Sequence, residues 1–236
     1  MSNELNFKYN GDYISKQYYH LDDDTIAEIS QGNEYAESPR ECYDYNSKLI
    51  TFERRYASPD ENEFNDWDDM LKHFGVKWNN DEKRDMYSEL AQLEEKALAK
   101  GTVILPVWKY EHGGTAYRAA ERCPFPDFGY DSGLCGVIYE KRDRRNIDKV
   151  KDQLREEVDI YSKWVNNEFY HVDIYDRDGD LLEPYGEYYD LNDITGDIGA
   201  KPIKDLGCHN EIDDCLYDNE DYFEKYDKSK QNNIER

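Results

Sequence analysis

No stretch of this chain is apolar over the roughly 20 residues that a membrane-spanning helix requires. The N-terminal Met1-Ser2-Asn3-Glu4-Leu5 lacks the basic region and apolar core of a secretory signal, so a cytoplasmic protein is expected. Cysteine is sparse. Its five residues (42, 123, 135, 208 and 215) are odd in number and irregular in spacing, which fits reduced thiols better than a disulfide framework. Gly-rich phosphate cradles, Gly-x-Ser-x-Gly elbows and paired Cys-x2-Cys spacings are all missing, so the chain carries no catalytic signature and no cofactor is expected. Above all, it is short of positive charge. Against 54 Asp plus Glu stand 30 Lys plus Arg, a formal net charge of −24 on 236 residues.

What is present is acid, unevenly placed, and aromatic rings. Residues 21–69 hold 15 acidic and 4 basic side chains, and residues 171–227 hold 18 and 4. Residues 141–163 run the other way, with 8 basic and 6 acidic. A field of this sign repels nucleic acid and anionic membrane and attracts basic protein surfaces. The 22 Tyr, 8 Phe and 4 Trp supply enough apolar area for a packed core despite the low mean hydropathy of −1.08.

Asp22-Asp23-Asp24-Thr25 is read as the cap of a short helix through Ile26 and Ile29, and Ser38-Pro39-Arg40-Glu41 as a turn or helix start. Phe64, Trp67, Met70, Leu71 and Phe74 fall at helical spacing. Met86, Leu90, Leu93 and Ala97 place a helix over 81–100, capped by Asn80 or Asp81 and ended by Gly101. The longest helix, about 145–167, follows from Ile147, Val150, Leu154, Val158, Tyr161 and Val165. Strands are expected at about 47–52, 102–110, 133–139, 169–175 and 185–190. Pro106 marks the second as an edge or bulged strand, and the glycines of 133–139 suggest close approach to a neighbouring backbone. Asp176-Arg177-Asp178-Gly179-Asp180 carries the Asp-Gly signal of a hairpin joining the last two strands. The fold class is α+β, a small, mainly antiparallel sheet packed by one or two long helices with acidic flanking segments. The segments are an acidic Tyr-rich 1–45, a core at 46–190, and an acidic 191–236 whose residues 227–236 form a frayed tail.

Asp173, Asp176, Asp178 and Asp180 with Gly179 resemble a calcium loop only superficially, because the sixth position counted from Asp176 is Leu181 rather than glycine. Cys208, His209 and Cys215, with Cys123 or His112, lack zinc-ligand spacing. His112, Cys123, Asp127 and Asp131 form the one candidate nucleophile–base pocket. Acid beside aromatics suits a protein interface better, because rings supply contact area and carboxylates match Arg and Lys. The candidate partner-binding residues are therefore Asp66, Trp67, Asp68 and Asp69, and Asp213, Asp214, Tyr217 and Asp218.

Several segments resemble a family of uncharacterised proteins of tailed bacteriophages. They are Ser38-Pro39-Arg40-Glu41, Arg54-Arg55-Tyr56, Val103 to Tyr110 with His112-Gly113-Gly114, Cys123-Pro124-Phe125, Asp131-Ser132-Gly133 with Gly136 to Tyr139, and Glu156-Glu157-Val158 with Tyr161. Together they span about residues 37–190, in the family's order. The resemblance implies a phage origin and no particular chemistry. The resulting expectation is a phage-encoded inhibitor, active in the host cytoplasm. It would bind a basic nucleic-acid-binding host or defence protein through DNA-mimic-like acidic surfaces, as an anti-CRISPR, anti-restriction or host-takeover factor. It would not touch nucleic acid or membrane directly. Two alternatives are an enzyme acting on a nucleotide-like small molecule through His112, Cys123 and Asp131, and a virion structural or assembly protein forming a homo-oligomer.

Overall fold

The computed structural model describes residues 16–32, 36–77, 84–126 and 128–234. Along the chain these form β1 (Lys16–Leu21), β2 (Ile26–Gln31), α1 (Pro39–Cys42), β3 (Lys48–Thr51), α2 (Trp67–Phe74), α3 (Met86–Ala99), β4 (Thr102–Glu111), β5 (Thr115–Ala119) and β6 (Ser132–Lys141). There follow α4 (Ile147–Val165), β7 (Tyr170–Tyr175), β8 (Leu181–Tyr188), α5 (Leu191–Asp197), β9 (Pro202–His209), α6 (Ile212–Asp218) and α7 (Glu220–Ile234). The class is α+β, and every strand pairing is antiparallel, but the strands form two sheets rather than one. The chain divides into two compact units. One comprises Met1–Ala36 and Asn167–Arg236, and the other is the intervening Glu37–Asn166. These boundaries replace a division at 45/46 and 190/191. The first acidic segment supplies the central hairpin of a sheet completed by the last third of the chain, a long-range pairing that local composition does not encode.

In the discontinuous unit the strand order is β8-β7-β2-β1-β9. Residues 22–25 do not cap a helix. They turn β1 back onto β2, with the Leu21 N–H donating to the Thr25 carbonyl at 2.9 Å and Asp24 in the left-handed region at φ 72°. The Asp23 carboxylate accepts from the Thr25 N–H and hydroxyl, so the acidic run closes a hairpin. Strand alternation then sorts the rings and aliphatics. Tyr19, Leu21, Ala27, Ile29, Val172 and Ile174 pack with Ile194, Ile198 and Ala200, while Tyr18 and Ile26 pack on the other face with Leu206, Cys215 and Phe223. The 176–180 hairpin forms as expected. Gly179 has φ +86°, and the Asp176 carboxylate accepts the N–H groups of Asp178 and Asp180. Residues 227–234 are not a frayed tail but the end of α7, which is clasped at its first turns and its middle. The ring of His20, fully buried, lies between Tyr222, Phe223 and Tyr226. Its Nδ1 meets the Tyr222 hydroxyl at 2.8 Å and its Nε2 meets Asp24 at 2.9 Å. Asp24 also binds Arg177 and Lys230, and Arg177 binds Asp227.

In the continuous unit the order is β3-β6-β4-β5, and helices cover both faces. Val150, Leu154 and Val158 of α4 pack on Leu49, Val103, Leu105, Val107 and Ile138. Met70, Leu71 and Phe74 of α2 and Leu93 and Ala97 of α3 pack on Ile50, Ile104 and Val137. Asp66 and Asp85 cap α2 and α3; the alternative caps at Asn80 and Asp81 lie outside the described residues. β4 is an interior strand despite Pro106. The Ala120 N–H still donates to the Pro106 carbonyl at 3.1 Å, and the Ala120 carbonyl accepts the Trp108 indole N–H at 2.8 Å in place of the N–H that Pro106 lacks. The register with β6 shifts between Val107 and Trp108, the bulge expected beside the proline. Gly136 is the glycine of close approach, since a Cβ there would overlap the Ile50 carbonyl.

Two outcomes follow. Gly136→Ala should destabilise the continuous unit by about 3 kcal/mol through overpacking against backbone. Urea unfolding followed by tryptophan fluorescence reads this unit alone, because all four Trp (67, 78, 108 and 164) fall within Glu37–Asn166. Burial holds the His20 pKa below 6.5, outweighing the pull of Asp24 in the other direction. The unfolded chain therefore takes up this proton first, so the contribution is complete above about pH 7 and is lost as the pH falls through 6.5. The hydrogen-exchange protection factors of α7 amides, taken relative to the intrinsic rate at each pH, should fall between pH 7 and 5, and His20→Gln should flatten that dependence.

Candidate functional site

The four residues singled out in 213–218 come together. At spacings of one, three and four, Asp213, Asp214, Tyr217 and Asp218 share the solvent face of α6, while Ile212, Cys215 and Leu216 turn inward. All four are exposed, and Tyr217 is 79% accessible. Among the described residues Asp213 and Asp214 have no Lys, Arg or His within ion-pair distance, and Asp218 has only His209 at 3.5 Å. The helix places its first two carboxylates where its own N-terminal dipole favours them.

The four residues at 66–69 are committed locally instead. Asp66 accepts the Asp69 N–H as the cap of α2, Asp68 pairs with Arg84 at 2.7 Å, and Asp69 accepts from Asn65. Trp67 sits edge-on to Phe52 at 5.7 Å and directs its indole N–H to Glu89. The two acidic sets belong to different units, and so does most of the charge. Met1–Ala36 and Asn167–Arg236 carry 27 acidic and 9 basic side chains, a net of −18; Glu37–Asn166 carries 27 and 21, a net of −6. In the latter, carboxylates are extensively paired: Asp60 and Glu157 with Arg40, Glu53 with Lys109, Glu94 and Glu121 with Lys151, and Glu140 with Arg145.

The alternative catalytic set is only partly assembled. His112 Nδ1 meets the Asp131 carboxylate at 3.0 Å, but the imidazole is 71% exposed. The Cys123 thiol instead contacts the Phe125 carbonyl and the Ser132 hydroxyl at 3.8 and 3.7 Å. Asp127 lies outside the described residues. Of the described residues of this set only Asp131 reaches the cavity of about 500 Å³ in this unit, whose other walls are Phe52, Glu53, Trp67, Lys109, Glu111, Tyr130 and Ser132–Cys135. Sequence reasoning missed this cavity. Its signal was the pair Gly133 and Gly136, of which only Gly136 packs against backbone, while a Cβ on Gly133 meets open space. Lys109 stands at its edge with Glu53 at 2.7 Å and Glu111 at 3.1 Å, and the ring of Tyr56 lies 4.3 Å from its ammonium. Burial alone would lower the Lys109 pKa, but the hydrogen bonds to the two glutamates outweigh it and raise it.

The suggested zinc residues serve separate bonds. The Cys208 thiol meets Gln17, His209 meets the Leu206 carbonyl, and buried Cys215 is bonded by Asn219. Among the described residues no group of three or more His, Cys, Asp and Glu is placed to hold a metal ion. Burial pushes the Cys135 thiol up strongly and the Cys215 thiol up to about 12, the latter helped by Asp218. Exposed Cys42 and Cys208 should react rapidly with a disulfide reagent at pH 8, and Cys135 and Cys215 only after denaturant is added. Peptide mapping of the labelled thiols checks the order. No protein-family model, curated protein or solved structure matches the chain.

Proposed function

We propose that this protein acts by binding. The acidic face of α6 (Asp213, Asp214, Tyr217 and Asp218) docks on a basic, nucleic-acid-binding surface of another protein and blocks it. The observation that supports this reading is the concentration of uncompensated charge, −18 in the discontinuous unit against −6 in the continuous one, with an exposed tyrosine set among three carboxylates. Carboxylates draw the partner in and select against acidic surfaces, and the tyrosine ring supplies contact area that holds the complex once formed. The resemblance to tailed-phage proteins makes a host or defence protein, met in the host cytoplasm, the target class. Asp66, Asp68 and Asp69 are set aside as contacts because the α2 cap, Arg84 and Asn65 already use them.

A pull-down from bacterial lysate at low and high salt tests the proposal. Wild type should recover a basic nucleic-acid-binding protein at low salt and lose it at high salt. The triple Asp213→Asn, Asp214→Asn, Asp218→Asn variant should associate about ten-fold more slowly with that protein at unchanged melting temperature. Equal association rates for variant and wild type at low salt would refute the reading. Recovery of a stable assembly of this chain alone would favour a virion role.

A further inference from the structure

The cavity beside β6 has a construction that the α6 reading does not use. β3 pairs with β6 only as far as Thr51 opposite Gly136, with one more bond from the Phe52 N–H to the Cys135 carbonyl. Past that point the chain leaves the sheet. Among the described residues nothing pairs with the β6 edge at Gly133 and Leu134 before Phe128 bridges to Ser132. This gap is the floor of the cavity. Its walls are of two kinds. Phe52, Trp67 and Tyr130 contribute aromatic rings, Tyr130 almost free in solvent at 93% exposure. Glu53, Glu111 and Asp131 contribute carboxylates, and the only cation in the lining is Lys109.

One ammonium against three carboxylates leaves the cavity with two negative charges. Glu53 and Glu111 share Lys109, whereas among the described residues the Asp131 carboxylate meets an exposed imidazole alone and keeps acceptor capacity facing solvent. Carboxylates and aromatic rings together lining a cavity of about 500 Å³ are the complement of an organic cation with a short apolar stem. A guanidinium fits better than an ammonium, because the planar ion stacks on a ring and bonds a carboxylate through two N–H groups at once. Lys109 displays the same recognition inside the protein, held between two glutamates with Tyr56 over its charge. We propose that this cavity is a binding site for an alkylguanidinium, either a free small molecule or an arginine side chain presented by another protein. The proposal does not rest on the α6 interface, which lies in the other unit.

Calorimetric titration of the full chain tests it, with agmatine as the free cation, the peptide Gly-Gly-Arg-Gly-Gly as the presented one, and a neutral alkylamide as control. The expected result is saturable one-to-one binding of a guanidinium, quenching or shifting the fluorescence of Trp67, with no binding of the neutral control. Tighter binding of agmatine identifies a small-molecule site, and tighter binding of the peptide identifies a side-chain pocket. The double Glu111→Gln, Asp131→Asn variant should weaken binding about ten-fold, as should Tyr130→Ala. Gly133→Phe, which places a ring in open space without left-handed backbone strain, should block binding. The Asp213→Asn, Asp214→Asn, Asp218→Asn variant should bind the guanidinium as wild type does, which separates this site from a general attraction to an acidic protein. Non-saturable binding, equal binding of the neutral control, or affinity unchanged in the Glu111/Asp131 variant would overturn the proposal.

Discussion

The guanidinium of Arg40 is the fixed point of the continuous unit. Its side chain is 1% exposed and is bonded by Asp60, Glu157 and the Ser47 carbonyl, with the ring of Tyr45 4.4 Å away. Asp60 in turn accepts the Leu49 N–H, and Glu157 accepts from Ser47 and Gln153. Gln153 is bonded by Arg145, which also pairs with buried Glu140. One connected set of charges thus ties α1, β3, α4 and the end of β6 together. Removing one member of such a set leaves a partner buried and uncompensated, which typically costs about 3–5 kcal/mol. The position of β3 beside β6, and therefore the gap where β3 stops, depends on it.

Acidic side chains do three different things in this protein, and only one of them reaches outward. Some are backbone acceptors: Asp66, Asp85 and Asp190 cap helices, Asp23 and Asp176 close turns, and Asp205 takes the Gly207 N–H where the register of β9 shifts. Each such bond satisfies an N–H that a turn, a helix start or a strand irregularity leaves without a partner. Others neutralise the cations of the continuous unit. What remains after these uses is concentrated in the discontinuous unit, where self-repulsion at neutral pH works against a compact state. Aromatic packing opposes that repulsion there, with Tyr18, Tyr19, Phe169, Tyr188 and Phe223 all buried. Tyr18 also donates its hydroxyl to buried Glu28 at 2.6 Å.

The two units differ in how much of them was visible in advance. Helix α4 was readable because its apolar residues recur at helical spacing and pack onto one sheet face, as did those of α3. The hairpin at 176–180 was readable because an Asp-Gly pair dictates a turn whatever surrounds it. Residues 22–29 misled because an acidic run before Ile26 and Ile29 fits a helix cap and a hairpin turn equally well. Ala27 and Ile29 take one sheet face and Ile26 the other only because β1 and β7 flank the strand. Pro106 was readable in part: the bulge lies beside it, between Val107 and Trp108, whereas the interior place of β4 follows from its flanking by β6 and β5, which the local sequence does not encode.

The sequence by itself determined the α+β class, the long amphipathic helices, the turn at Gly179 and the sign and clustering of the charge, because these depend on residues near one another in the chain. The tertiary structure alone decided that residues 16–31 and 170–209 share one sheet and that Arg40 meets Glu157 across 117 positions. It also decided which acidic cluster is spent on local bonds and which faces solvent. Each of these rests on pairing between distant segments, where a carboxylate's role is set by whether a backbone N–H, a cation or water occupies the space beside it.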